Sequence, residues 1–264
     1  MVNEQRDHFA MKPEIRQQQL MNRLRAVERE WRVDELASVL KVSPLTIRRD
    51  LDVLERAGAI VRTLGGCLAI GRTQNAVYQK RVATQFELKQ AIGHAAAREV
   101  RSGDTLLIND GSTTFHLASC LGGCGPITVY TNSVAMIGEF SRFENVRLFL
   151  LGGEYHHALY CLGGGLMAGA LETIRVDTVF MGADGVDARG QCLAVNPDAA
   201  RDAQMMIRRA RRKILLADVT KVSDRAGAAY GTLQDFDLWI TTTGMPRALF
   251  KRLSQATTIR EVAP

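Results

Sequence analysis

Six short, bulky apolar runs separated by helix-length segments constrain the second half of this chain more than any other feature. They occupy residues 105–108, 127–130, 146–151, 177–181, 213–217 and 237–241. Runs of this length, bounded by turn residues, read as strands buried on both faces. Strand and helix alternating in this way imply an α/β fold with a mostly parallel, doubly wound sheet.

The first half has a different period. Within residues 13–29, Leu20, Leu24 and Val27 fall on one helical stripe, and Pro13 suits a first turn. Asp34 can cap a second helix carrying Leu36, Ala37 and Leu40, which ends near Val42. Ser43-Pro44 then starts a third, because the Ser hydroxyl can accept an orphan N–H and Pro loses no bond there. That helix, residues 43–57, places Ile47, Leu51 and Leu54 on one face and Thr46, Arg48, Arg49 and Asp52 on the other, with Gly58 closing it. Apolar runs at 59–62 and 67–70, separated by Gly65-Gly66, read as a hairpin. The organisation expected is a winged helix-turn-helix over residues 13–70, a polar linker over 71–88 that turns helical before Ile92, and an α/β domain over 89–264.

A helix-turn-helix with a wing places its third helix in the major groove. Arg48 and Arg49 would then meet phosphate or a guanine edge, and Thr46 a thymine methyl group or a phosphate. The alternative is a small helical subdomain whose arginines are a solvated face. Bulk charge does not separate the two. The net charge is +6, yet the first 70 residues hold 12 basic against 10 acidic side chains, and the rest 22 against 18.

Val33-Asp34-Glu35-Leu36-Ala37, Val42-Ser43-Pro44-Leu45-Thr46-Ile47-Arg48-Arg49-Asp50-Leu51, Leu54-Glu55-Arg56-Ala57-Gly58 and Arg62 through Gly65-Gly66 resemble the helix-turn-helix of the DeoR family of bacterial transcriptional regulators. The resemblance implies operator-DNA contact by Ser43, Thr46, Arg48 and Arg49, with Arg62 in the wing. Asp50 shares the charge of phosphate, so it is expected to hold an arginine in place.

Ligands of open parallel sheets bind beyond the carboxyl ends of the strands. Four such places here carry small residues, hydroxyls and backbone N–H groups: Asn109-Asp110-Gly111-Ser112-Thr113-Thr114, Thr131-Asn132-Ser133, Gly152-Gly153 and Gly182-Ala183-Asp184-Gly185. Gly111 through Thr114 opening a helix suits phosphate. Asp184 suits sugar hydroxyls, and Lys221 offers a mobile cation. The expected effector contacts are Asp110, Gly111, Ser112, Thr113, Thr114, Thr131, Asn132, Gly152, Gly153, Gly182, Asp184 and Lys221. His156 and His157 are expected to be a surface loop pair.

These segments, with the stretch 216–221, are similar to the DeoR sensor domain, which is similar in fold to ribose-5-phosphate isomerase. The resemblance implies a regulator, most simply a repressor of a carbohydrate operon, that senses a phosphorylated sugar. Asn109, Ala199 and Ala203 depart from the family's Asp, Glu and Lys. The competing reading is a sugar-phosphate isomerase, which needs a positioned carboxylate and an acid. Where the isomerase-like motif reads D-G-A-D-E, this chain has Met181-Gly182-Ala183-Asp184-Gly185, so two acids are missing and binding without turnover is expected.

Five cysteines without a C-x-x-C pair point to reduced thiols, with no metal and no cofactor. No apolar run suits a signal peptide or a bilayer, so a cytoplasmic location is expected. Paired half-sites imply a homo-oligomer, dimer or tetramer.

Overall fold

The computed structural model describes residues 12–26, 29–56, 59–63, 65–69, 76–223 and 227–263. Contacts divide the chain into two units, with the boundary between Thr84 and Gln85.

In the first unit the helices are Pro13–Ala26, Val33–Leu40 and Pro44–Arg56. Leu20, Leu24, Leu36, Ile47 and Leu51 are fully buried together, so the apolar stripes converge on one core. Ser43 Oγ accepts the Thr46 N–H at 3.1 Å, which is the cap expected of a Ser-Pro start. The expected cap at Asp34 is not formed. The second helix begins two residues earlier than that cap implies, after an extended Arg32, and Asp34 lies in its first turn, where a negative charge favours the helix dipole. It ends at Leu40, capped by Lys41 in the left-handed region at φ 53, within two residues of the expected Val42. Val27, Ala57 and Gly58 lie outside the described residues.

Ile60–Arg62 and Gly66–Ala69 pair antiparallel as the hairpin requires. A third strand, Trp31–Arg32, pairs with Cys67 and Gly66 on the other side. Gly66 therefore sits inside a strand and not in the turn, and a Cβ there would run into the Trp31 carbonyl. Within the stretch read as a linker, Ala76–Ala83 is a helix that packs on Ile60–Arg62 and buries Tyr78 and Val82.

The second unit holds a seven-stranded sheet in which every neighbouring pair is parallel. Its order is Thr258–Val262, Leu238–Thr242, Ala210–Leu216, Val176–Gly182, Thr105–Ile108, Ile127–Thr131 and Val146–Leu150. Alternate side chains serve opposite faces. Leu107, Val179, Met181 and Leu215 join Met167, Leu171, Met206 and Ile207 on one side. Leu106, Ile108, Phe180 and Leu216 join Ile92, Leu117 and Met136 on the other. Helices on both faces explain why six of the strands read as unbroken apolar runs. The seventh, Thr258–Val262, is a sheet edge with mixed residues and no such signature. A small antiparallel sheet of Gly185–Val186, Gln191–Ala194 and Ala228–Thr232, and a hairpin of Glu154–His156 with Cys161–Gly163, complete the unit.

Candidate DNA-reading helix and ligand site

In the Pro44–Arg56 helix, Asp50 is buried while Arg48 and Arg49 are exposed. Arg16 reaches the Asp50 carboxylate at 2.5 and 3.1 Å, and Gln17 Nε2 donates to it at 3.1 Å. Asp50 thus holds an arginine of the first helix, and those bonds fix the rotation of the third. Ser43 is exposed and Thr46 half-buried, with their hydroxyls 2.8 Å apart. Arg62 turns back onto the helix, donating to Asp52 Oδ1 at 2.7 Å and to the Arg48 carbonyl at 3.3 Å. Its charge is therefore shared with a carboxylate, whereas among the described residues Arg48 and Arg49 form no ion pair.

In the second unit, parallel pairing brings the turns after Thr105–Ile108, Ile127–Thr131, Val146–Leu150 and Val176–Gly182 to one edge of the sheet. Asn109 is the tie. Its Oδ1 accepts the Gly182 N–H at 2.9 Å, the Gly111 N–H at 3.4 Å and lies 3.3 Å from Thr114 Oγ1. Asn132 is the second tie, donating from Nδ2 to Asp110 Oδ1 at 3.2 Å and to the Leu162 carbonyl at 3.0 Å. Asp110, Gly111, Thr114, Asn132 and Gly182 are thus bound into one cluster.

Other expected contacts have internal partners. The Thr114 hydroxyl lies 2.7 Å from the Asn109 and Gly111 carbonyls. Thr131 Oγ1 accepts the Ser133 N–H at 3.1 Å and is 3.4 Å from Met136 Sδ. Ser112 and Thr113 are buried, Gly152 is exposed, and Gly153 packs on the Gly163 backbone. Asp184 donates its backbone N–H to the Leu193 carbonyl at 2.9 Å. Lys221 is half-buried in the turn Val219–Lys221, which Asp218 caps by accepting the Thr220 N–H at 2.9 Å.

Three residues of this region escape a strand-end search. Tyr230 comes from the small sheet and donates to the Gly182 carbonyl at 2.8 Å, and its burial pushes the phenol's pKa well up. Asp202, on the Pro197–Ile207 helix, accepts the Gly164 N–H on both oxygens, at 3.3 and 3.2 Å. Burial raises its carboxyl above the usual range, with the Gly164 N–H and His156 opposing and Asp110 and Asp198 adding. His156 is half-buried beside it, in a strand and not in a surface loop, while His157 is exposed. Of these three, His156 alone drew notice in the sequence, as part of a His-His pair after a glycine turn. All five cysteines are free thiols, and burial raises Cys120 to about 11.

Residues 84–243 match the model of the DeoR C-terminal sensor domain, and residues 16–73 that of the DeoR-like helix-turn-helix domain. The chain belongs to the DeoR family. It is 32% identical over 84% of its length to the uncharacterized HTH-type transcriptional regulator YulB of Bacillus subtilis, covering 86% of that protein. The transcriptional repressor GlcR of the same organism is also 32% identical, over 79% of this chain and 80% of its own. The glycerol-3-phosphate regulon repressor of Escherichia coli is 28% identical, over 84% and 88%. A solved ribose 5-phosphate isomerase A from Neisseria gonorrhoeae is 20% identical, with a TM-score of 0.40, covering 55% of this chain and 56% of that one.

As a DeoR-family member the protein is a helix-turn-helix transcriptional regulator whose sensor domain follows the helix-turn-helix domain in sequence. The Asn109 departure has a structural counterpart: its amide oxygen supplies the acceptor that joins two loops. Ala203 is buried in the sheet-facing core of its helix, and Ala199 packs against the same core. No helix among the described residues is long and apolar enough to cross a membrane.

Proposed function

We propose that this protein represses a carbohydrate-metabolism operon and is released from, or tightened on, its operator by a phosphorylated sugar. The observation that carries the sensor half is the cluster tied by Asn109 and Asn132, which holds three strand-end loops together at the carboxyl edge of an all-parallel sheet. That edge is where ligands of such sheets bind. Asp110, Gly111, Ser112, Thr113, Thr114, Thr131, Asn132, Gly152, Gly153, Gly182, Asp184 and Lys221 are the residues assigned to the effector site. Thr131 and Thr114 shape the loops by their internal bonds, and Lys221 supplies the cation. Binding without turnover is the accompanying reading, since positions 181 and 185 hold Met and Gly where isomerase chemistry would place acids.

On the DNA side, Ser43, Thr46, Arg48 and Arg49 are assigned to the operator, with Arg62 reaching phosphate from the wing in competition with Asp52. A homo-oligomer in the cytoplasm, reading paired half-sites, completes the proposal. The two halves communicate by linkage: an effector that prefers one state shifts operator affinity by its differential affinity for the two.

The test is a mobility-shift titration of the full chain on DNA flanking its own gene, with sugar phosphates and inorganic phosphate added. The proposal expects at least one ester to change operator affinity by about 5-fold or more. Constant affinity across the set would remove the sensor reading.

A further inference from the structure

Next to the tied loops lies a group of polar side chains with more acceptors than donors. Asp202 is 8% exposed, and its carboxylate receives one backbone N–H, that of Gly164, shared between its two oxygens. Gly163 separates Asp202 from His156. A Cβ on Gly163 would collide with Asp202 Oδ2 and stand 3.0 Å from His156 Nε2, so only glycine leaves room for both side chains on either side of it. The preceding residue, Leu162, gives its carbonyl to Asn132 Nδ2, which also holds Asp110. Asn132 is 3% exposed, and its Oδ1 has no hydrogen-bond partner among the described residues.

A buried amide oxygen left unpaired costs stability, and a buried carboxylate with one shared donor is undersatisfied in the same sense. Both acceptors await donors, and they adjoin the loop that begins at Asp110. Sugar hydroxyls donate to carboxylate and amide oxygens, whereas a phosphate oxygen is repelled by Asp110 and Asp202. The proximal phosphate and the distal hydroxyls of one ligand are thereby sorted by chemistry along the same sheet edge.

We propose that Asp202 and Asn132, with Asp110 and His156 beside them, form a hydroxyl-reading subsite that binds the polyol end of the effector and sets which sugar phosphate is sensed. This rests on the reading of the domain as a sugar-phosphate sensor. Asp202 acts here as a specificity-determining residue. A long polyol phosphate reaches the subsite, and inorganic phosphate does not.

The experiment compares the full-length wild type with Asp202→Leu and the nearly isosteric Asp202→Asn, by calorimetric titration with glucose 6-phosphate, sorbitol 6-phosphate, glycerol 3-phosphate and inorganic phosphate. Melting curves of the free proteins report folding. Losing a hydroxyl bond to a charged group is worth about tenfold or more in affinity. The subsite predicts that loss for the tightest hexose or hexitol ester in both variants, with inorganic phosphate binding within about twofold of wild type. Should Asp202→Leu fail to fold, Asp202→Asn alone decides. Equal weakening of all four compounds, or unchanged binding of the hexose and hexitol esters, overturns the subsite while leaving the sensor reading intact. A wild type that binds none of the four overturns both.

Discussion

Arg16 and Asp50 are 34 residues apart in sequence, yet the guanidinium of the first helix closes on the carboxylate of the third through two bonds, at 2.5 and 3.1 Å. The contact turns the helix so that Asp50 faces inward and its neighbours Arg48 and Arg49 face outward. Removing one member of a buried pair strands the other's charge. Arg16→Ala is expected to destabilise the first unit by about 3 kcal/mol. Replacing both residues by apolar ones, as Arg16→Met with Asp50→Leu, should restore much of that loss. Trp31 lies in the first unit and Trp239 in the second, so urea melts followed by fluorescence in a Trp239→Phe background report the relevant unit. Equal melts for wild type and Arg16→Ala would refute the role of the pair.

The Asn109 amide carries a comparable load in the second unit. Asn109→Ala leaves the Gly182 and Gly111 N–H groups and the Thr114 hydroxyl without this acceptor. The expected cost is about 1–3 kcal/mol. Asn109→Asp keeps an acceptor and should cost less. Hydrogen exchange at Gly111 and Gly182 checks the assignment, with faster exchange in Asn109→Ala and near-native protection in Asn109→Asp.

Glu99 supplies a pH signature. Burial pushes its carboxyl up, but hydrogen bonds from Arg260 and Arg212, each at 2.5 Å, outweigh that and hold it below the usual range. A depressed folded-state value means the contribution is present above the unfolded pKa and is lost as pH falls through the folded one. Glu99→Gln should lower stability by about 1 kcal/mol at neutral pH, as expected for a half-exposed network. The gap to wild type should begin to narrow below about pH 4 and go on narrowing as pH falls further. A gap that stays constant from pH 7 to 3 would exclude the ionised Glu99 as its source.

The sequence made the buried strands plain because both of their faces are covered, so apolar residues run unbroken through Val176–Gly182 and Leu238–Thr242. It concealed Thr258–Val262, where an edge position admits Arg260 and Glu261. Trp31–Arg32 is too short to show any period, and Gly66 looked like a turn residue because close backbone approach and turning both favour glycine. Ser43, Pro44 and the arginines were legible because capping and helical periodicity are local. Asp202 was not: it stands on a helix, and only folding brings it to Gly163 and His156.

In the proposed operator complex the Pro44–Arg56 helix meets DNA through the arginines that Asp50 turns outward. Operator binding measured against salt for wild type, Arg48→Ala/Arg49→Ala and Arg62→Ala tests it most directly. Each lost phosphate contact lowers the salt slope by about 1, and each lost base contact costs about 1–3 kcal/mol. The double variant should bind at least about tenfold more weakly, with a shallower slope if phosphate is the partner. Arg62→Ala, whose guanidinium already engages Asp52, should change affinity less. A double variant with wild-type affinity and wild-type slope would rule out Arg48 and Arg49 as operator contacts.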